Sequence, residues 1–169
     1  LTNMAIPKTI TSYLDKNKFK YEVIEHRTTY TAWDTAQTEK VRPQEVAKTL
    51  VMRVDNDYVL ALVTSNRNLD KQKLLKVINA YRKKNGLQGY KKIDFAKEAW
   101  MTKNIPGKVG ATAPFRGLLK LDLYVDSALL KSKKIYVGSG EYTNSIRVSA
   151  SQYAKIENPV KGAFSKSKK

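Results

Sequence analysis

Two stretches of this 169-residue sequence carry residues whose types and spacing point to chemistry. VGATAPFRG, residues 109–117, holds one ionisable group, Arg116, and one hydroxyl, Thr112. Its backbone is the informative part. Gly110 can adopt positive φ or let a ligand come close, while Pro114 fixes its own φ and pushes Ala113 towards an extended conformation. Small side chains fill the rest, so the loop is stiff and offers N–H and C=O groups to whatever lies beside it. Two readings fit: a tight turn leading into the strand that follows, or a ligand-facing loop. The second stretch is EVAKTLVMRV, residues 45–54, in which Lys48 is expected at the end of a short helix, directly before a hydrophobic strand. A lysine there either complements the helix C-terminus in solvent or supplies the cation of a site.

Several other chemistries are excluded by composition. The chain has no cysteine, which removes disulfides, thiolate nucleophiles and cysteine-based metal sites. Its single histidine, His26, cannot build a histidine-rich zinc centre. No serine sits in a nucleophile-elbow sequence, which argues against a Ser-His-Asp triad. No metal and no cofactor are expected, although a carboxylate-held Mg²⁺ is not excluded by composition.

Charge points to the partner. Lysine and arginine number 32 against 15 Asp and Glu, giving a formal charge of +17. A domain this basic gains affinity for nucleic acid by releasing condensed counterions. An anionic membrane is the weaker fit, because no long amphipathic helix collects the basic residues. No apolar run approaches the length that spans a bilayer and no signal segment is recognisable, so a cytoplasmic protein is expected.

The elements that must position these residues read as one mixed α/β domain. Residues 1–3 precede Met4 and are set aside as a leftover of cloning. Pro7 opens a helix carrying Ile10, Tyr13 and Leu14, and YEVIEH follows as a strand. Residues 31–48 read as helical in two pieces broken at Pro43. TLVMRV and YVLALVT form a hairpin across Asp55-Asn56-Asp57. Residues 70–85 place Leu74, Leu75, Ile78 and Tyr81 on one helical face and stop before Gly86. DFAKEAWMTKN reads as a short helix, LLKLDLYVD as a strand, DSALL as a helical turn, and KIYVGSG and SIRVSA as two further strands. VKGAFSKSKK has no periodicity and few core formers, so it is expected to be a flexible basic arm whose removal spares activity.

AKTL, the hairpin, NLDKQKLLKV, GATAPF followed by a strand, and YVGSG, in that order, resemble the YbaK/prolyl-tRNA-synthetase-associated domain family of aminoacyl-tRNA deacylases. The resemblance covers nearly the whole chain. Its most diagnostic features match Lys48-Thr49 and the residues from Gly110 to Pro114. YEVIEH with its histidine and the YVGSG stretch match as well. It implies an α/β fold with a mixed, curved central sheet and flanking helices over residues 4–158, with 159–169 as the basic tail.

The activity implied is hydrolysis of the ester joining a mischarged amino acid to tRNA. Aminoacyl-tRNA, through its acceptor end, is then the partner, with an aminoacyl-tRNA synthetase as a candidate second one. Lys48, Gly110 and Thr112 are implied as catalytic, Lys48 holding either the terminal phosphate or the aminoacyl group. His26, Thr49, Ala111, Ala113, Pro114, Gly138, Ser139 and Gly140 are implied to bind substrate. For Thr49 the alternative is a strand start, and for His26 a structural hydrogen bond. The sequence departs from the family pattern at Asn144-Ser145, where some members carry Asp, and around Ile24, where a Tyr often precedes the histidine. Tyr90 and Trp100, set among lysines, suit stacking on unpaired bases, with a place in the core as the alternative for Trp100. A noncatalytic RNA-binding or regulatory module on the same fold is the competing reading.

Overall fold

The hairpin is the centre of the molecule. In the computed structural model, which describes residues 6–168, β2 (Ala47–Val54) pairs antiparallel with β3 (Asp57–Thr64) across a turn that places Asp55 at φ +53°. The expectation for residues 1–3 lies outside the described residues. Val51, Leu60 and Leu62 point to one face, and Met52, Val54, Val59, Ala61 and Val63 to the other. Both faces are therefore covered, which is why these strands read as nearly continuous apolar runs. On the first face lie Ile10 and Leu14 of α1 (Lys8–Lys16) and Tyr153 of α6 (Ala150–Glu157). On the second lie Leu74 and Ile78 of α3 (Lys71–Lys84), capped by the Asp70 carboxylate accepting from the Lys73 N–H. Each fully buried side chain of this size stabilises the fold by about 1.5–3 kcal/mol.

Around the hairpin the sheet is mixed. Its order is β5 (Ile93–Phe95), β2, β3, β6 (Asp122–Asp126), β9 (Val160–Gly162), with β6 and β9 running parallel to their neighbours. A second, antiparallel sheet holds β1 (Tyr21–Glu25), β8 (Asn144–Ser149) and β7 (Lys134–Gly138) in the order β1-β8-β7. A single bridge, Val46 to Tyr136, ties the second sheet to the beginning of β2. Among the described residues no helix is long and apolar enough to cross a membrane.

Five expectations change. DFAKEAWMTKN is only partly helical: Asp94 and Phe95 close β5, and the helix, α4, covers Glu98–Asn104. The second helical piece shrinks to one 3-10 turn, Pro43–Glu45, so Lys48 is the second residue of β2 and complements no helix end. The GATAPF loop runs into a one-turn helix, α5 (Arg116–Leu119), and the strand begins only at Asp122. SIRVSA ends at Ser149, whose hydroxyl caps α6 by accepting from the Gln152 N–H; the helix formers of SQYAKIE carry the chain on from there.

The basic tail is the largest correction. Val160–Gly162 extends the central sheet, and β10 (Ser165–Ser167) pairs with β4 (Arg67–Leu69). One fully buried residue, Phe164, anchors the segment against Met52, Leu74 and Ile78. Its N–H donates to the Asp126 carboxylate (2.8 Å) and its C=O accepts from the Asp70 N–H (2.8 Å). A lone apolar residue among lysines and serines has no period, which is why sequence patterning passes over it.

Phe164→Ala is expected to lower stability by about 3–5 kcal/mol, seen as a reduced urea midpoint at unchanged slope. A wild-type midpoint would mean that the tail does not hold the fold.

Candidate functional site

Where the bridge brings the two sheets together, a cavity of about 420 Å³ opens beside the start of β2. Residues 46–50, the loop at 110–112 and the end of β7 at Gly138 wall it, with Ser65, Asn68, Glu141, Ser145 and Lys168 contributing to the lining. The segment around α2 (Ala32–Glu39), with Tyr30 and Trp33 exposed, forms the mouth.

The loop and the strand end meet backbone to backbone. Gly110 has φ +87°, and a Cβ at Gly138 would stand 2.2 Å from the Thr112 carbonyl oxygen, closer than any side chain tolerates. The Gly140 N–H donates to the Ala111 C=O (2.6 Å), and the Ala111 N–H donates to the Lys108 C=O (3.0 Å). Among the described residues, no group accepts from the N–H of Gly110 or of Thr112. The far side of the loop is fixed as firmly. The buried Tyr153 hydroxyl donates to the Pro114 C=O (2.5 Å), and the Glu157 carboxylate accepts from the Arg116 N–H and from the Tyr13 hydroxyl (2.6 Å). Burial of Glu157 raises its pKa above the ordinary carboxylate value, against hydrogen bonds from Tyr13 and Arg116 that oppose the rise.

Lys48 reaches the cavity with its ammonium donating to the Arg67 C=O (2.8 Å) and to Asn68 Oδ1 (3.4 Å). Partial burial, and then the charge of Lys168, hold its pKa below the usual lysine value. Thr49 lines the same cavity, and its buried hydroxyl has no partner among the described residues. Glu141 is the one carboxylate in the lining, and the Lys108 ammonium lies 2.9 Å from it.

Of the residues named from the sequence, Lys48, Thr49, Gly110, Ala111, Thr112 and Gly138 therefore face one space. The others do not line it. Ala113 packs in the core, and Pro114 faces Tyr153. The Ser139 hydroxyl is buried and donates to the Asn144 C=O (2.9 Å), while Gly140 supports Ala111. His26 stands behind Ser145: its Nδ1 lies 2.7 Å from the Arg27 C=O and its Nε2 3.0 Å from Ser145 Oγ. A carbonyl only accepts, so Nδ1 carries a proton, and in the neutral ring Nε2 accepts from the serine hydroxyl that lines the cavity. Asn144 and Ser145, where the sequence departs from the family pattern, also line the cavity, and Trp33, Asn68 and Lys168, which carried no local sequence signal, are assembled there only by the fold. Tyr90 and Trp100 lie elsewhere, Tyr90 bonded to Asp57 (2.7 Å) under the Arg82 guanidinium and Trp100 stacked on Tyr58 (3.5 Å).

The model of the aminoacyl-tRNA editing domain family matches residues 26–156. No curated protein matches the chain at a significant level. Among solved structures, a protein described as a candidate trans-editing enzyme for prolyl-tRNA synthetase superposes with a TM-score of 0.78 at 17% identity, over 98% of this chain and 99% of that one. The hypothetical protein APE2540 gives 0.76 at 17% identity, over 94% and 99%. A candidate signal transduction protein from Marinobacter aquaeolei VT8 gives 0.64 at 12%, the match covering 95% of this chain but only 31% of that longer one. At these identities the likeness is one of fold.

Two expectations follow from the loop's supports. Gly138→Ala forces the loop backbone aside and is expected to cost about 1–3 kcal/mol in urea unfolding; no loss would show that the two segments do not touch. The raised pKa of Glu157 means that the folded state holds this proton more tightly than the unfolded chain. Its contribution to stability is full below 4.5 and is lost as pH rises through the raised folded value. Glu157→Gln should flatten that part of the stability profile above pH 4.5, and an unchanged profile would remove Glu157 as its source.

Proposed function

Because the chain belongs to the aminoacyl-tRNA editing domain family, we propose that it is a trans-editing deacylase that hydrolyses the ester of mischarged aminoacyl-tRNA in the cytoplasm. The observation that carries this reading is the cavity in which the Lys48 ammonium and the 110–112 backbone face the same space. Water adds to the ester carbonyl, and negative charge develops on the carbonyl oxygen. The unpartnered N–H groups of Gly110 and Thr112 are the donors suited to that oxygen. Donors fixed in advance are the strongest device for such a step where water is scarce. Their fixing is what Tyr153, Glu157 and the Gly138 contact supply. When the tetrahedral adduct collapses, the C–O bond to the ribose breaks, the ribose oxygen takes up a proton derived from the attacking water, and the free amino acid leaves. The neighbouring ribose hydroxyl is the group closest to the reacting centre able to pass that proton. The likeness in fold to the candidate trans-editing enzyme supports action on a tRNA that another enzyme has charged.

A noncatalytic RNA-binding module is the second reading. It is favoured by the engagement of the site's bases, since Glu141 pairs with Lys108 and His26 is spent on Arg27 and Ser145.

Single-turnover deacylation of a panel of misacylated tRNAs separates the two. At least one member is expected to be hydrolysed, with Lys48→Ala slower by roughly 10²-fold at unchanged circular dichroism. Inactivity of the wild type on every member would establish the binding module, and full activity of Lys48→Ala would remove Lys48 from the site.

A further inference from the structure

The C-terminal strand brings a second cation to the cavity. Lys168 follows β10 directly and lines the same space as Lys48, its ammonium 4.5 Å above the centre of the Trp33 ring. Its position is not that of a loose end. The Arg67 guanidinium donates to Ser165 Oγ (2.8 Å) and to the Ser165 C=O (3.3 Å), and β10 pairs with β4 through Ser167 opposite Arg67 and Lys166 opposite Asn68. Arg67 and Asn68 are also the residues that hold the Lys48 ammonium. One short strand thus sets both cations, and Phe164 locks it in place.

Among the described residues these two charges have no counterion: neither Lys48 nor Lys168 is within salt-bridge distance of a carboxylate, and the cavity's one carboxylate, Glu141, already pairs with Lys108. Like charges facing one partly buried space repel, and an anion between them converts that repulsion into attraction. The depressed pKa of Lys48, caused in part by Lys168, reports this repulsion. On an aminoacylated tRNA end the carboxyl group is tied up in the ester and carries no charge. The nearest negative group is the phosphodiester joining the last two nucleotides.

We infer that Lys168 and Lys48 form a clamp for a phosphodiester, the linkage next to the terminal aminoacylated nucleotide. This rests on the editing reading of the site. Lys168 thereby becomes a substrate-binding residue delivered by the tail, and Lys48 serves the phosphate side of the cavity as well as the ester side. Trp33, 42% exposed at the mouth, is left with aromatic surface on which an unpaired base can stack.

The test compares two non-hydrolysable probes by calorimetry at low salt: 3′-alanylamino-3′-deoxyadenosine, and the same nucleoside extended by a cytidine through one phosphodiester. Wild-type protein is expected to bind the extended probe more tightly. Lys168→Gln should weaken the extended probe by roughly tenfold, the scale of one partly exposed charge-assisted contact, and leave the nucleoside probe unchanged. Lys168→Arg should restore much of the loss. Equal wild-type affinity for the two probes, binding of neither, or a Lys168→Gln variant that changes both or neither would overturn the clamp. Deacylation by the same proteins keeps the two readings apart. Turnover without phosphodiester discrimination removes the clamp alone, and discrimination without turnover on any misacylated tRNA removes the editing activity alone.

Discussion

Everything at the site depends on two backbone segments touching. Residues 110–112 lie against residues 138–140 so closely that Gly138 admits no side chain, and the Gly140 N–H bonds directly to Ala111. A loop of small residues could not hold one shape by itself. It does so because β7 abuts it on one side, while Tyr153 and Glu157 of α6 grip Pro114 and Arg116 on the other. The stiffness is thus a property of packing, and among the described residues the N–H groups of Gly110 and Thr112 donate to no acceptor of their own.

The second constraint is electrostatic. A chain with a formal charge of +17 attracts nucleic acid wherever its lysines lie, but general attraction does not place an ester over a loop. In the proposed reading, placement falls to cations at fixed positions: β4 holds Lys48 through Arg67 and Asn68 while pairing with β10. The strand that completes the sheet edge and the lysine that joins the cavity lining belong to the same C-terminal segment. Phe164, which anchors this segment in the core, therefore fixes the position of Lys168 as well.

How much of this is legible in the sequence depends on periodicity. The hairpin, α3 and its stop before Gly86 follow from patterns that local physics enforces, and each is found in the fold. β10 was hidden because three polar residues pair through backbone alone and one phenylalanine does the anchoring. α6 follows a strand without a turn, so the change of period at Ser149 is easily read through. In the candidate site, Lys48, Thr49, the 110–112 loop and Gly138 line one cavity, Lys48 from a strand and not from a helix end. His26, Ser139, Gly140, Ala113 and Pro114 stand one layer back, as supports. Lys168 and Trp33 are 135 positions apart in the sequence, and only the folded sheet edge makes them neighbours.

The claim at the centre is that backbone donors, not a side-chain base, face the reacting ester. Titration of isotope-labelled protein with a 3′-phosphonate analogue of alanyl-adenosine, whose tetrahedral oxygens mimic the charged adduct, tests it directly by amide NMR. The expected result is that the amide protons of Gly110 and Thr112 move downfield further than any others, as donors gaining a charged acceptor do. Binding of the analogue with these two amides unmoved would contradict it.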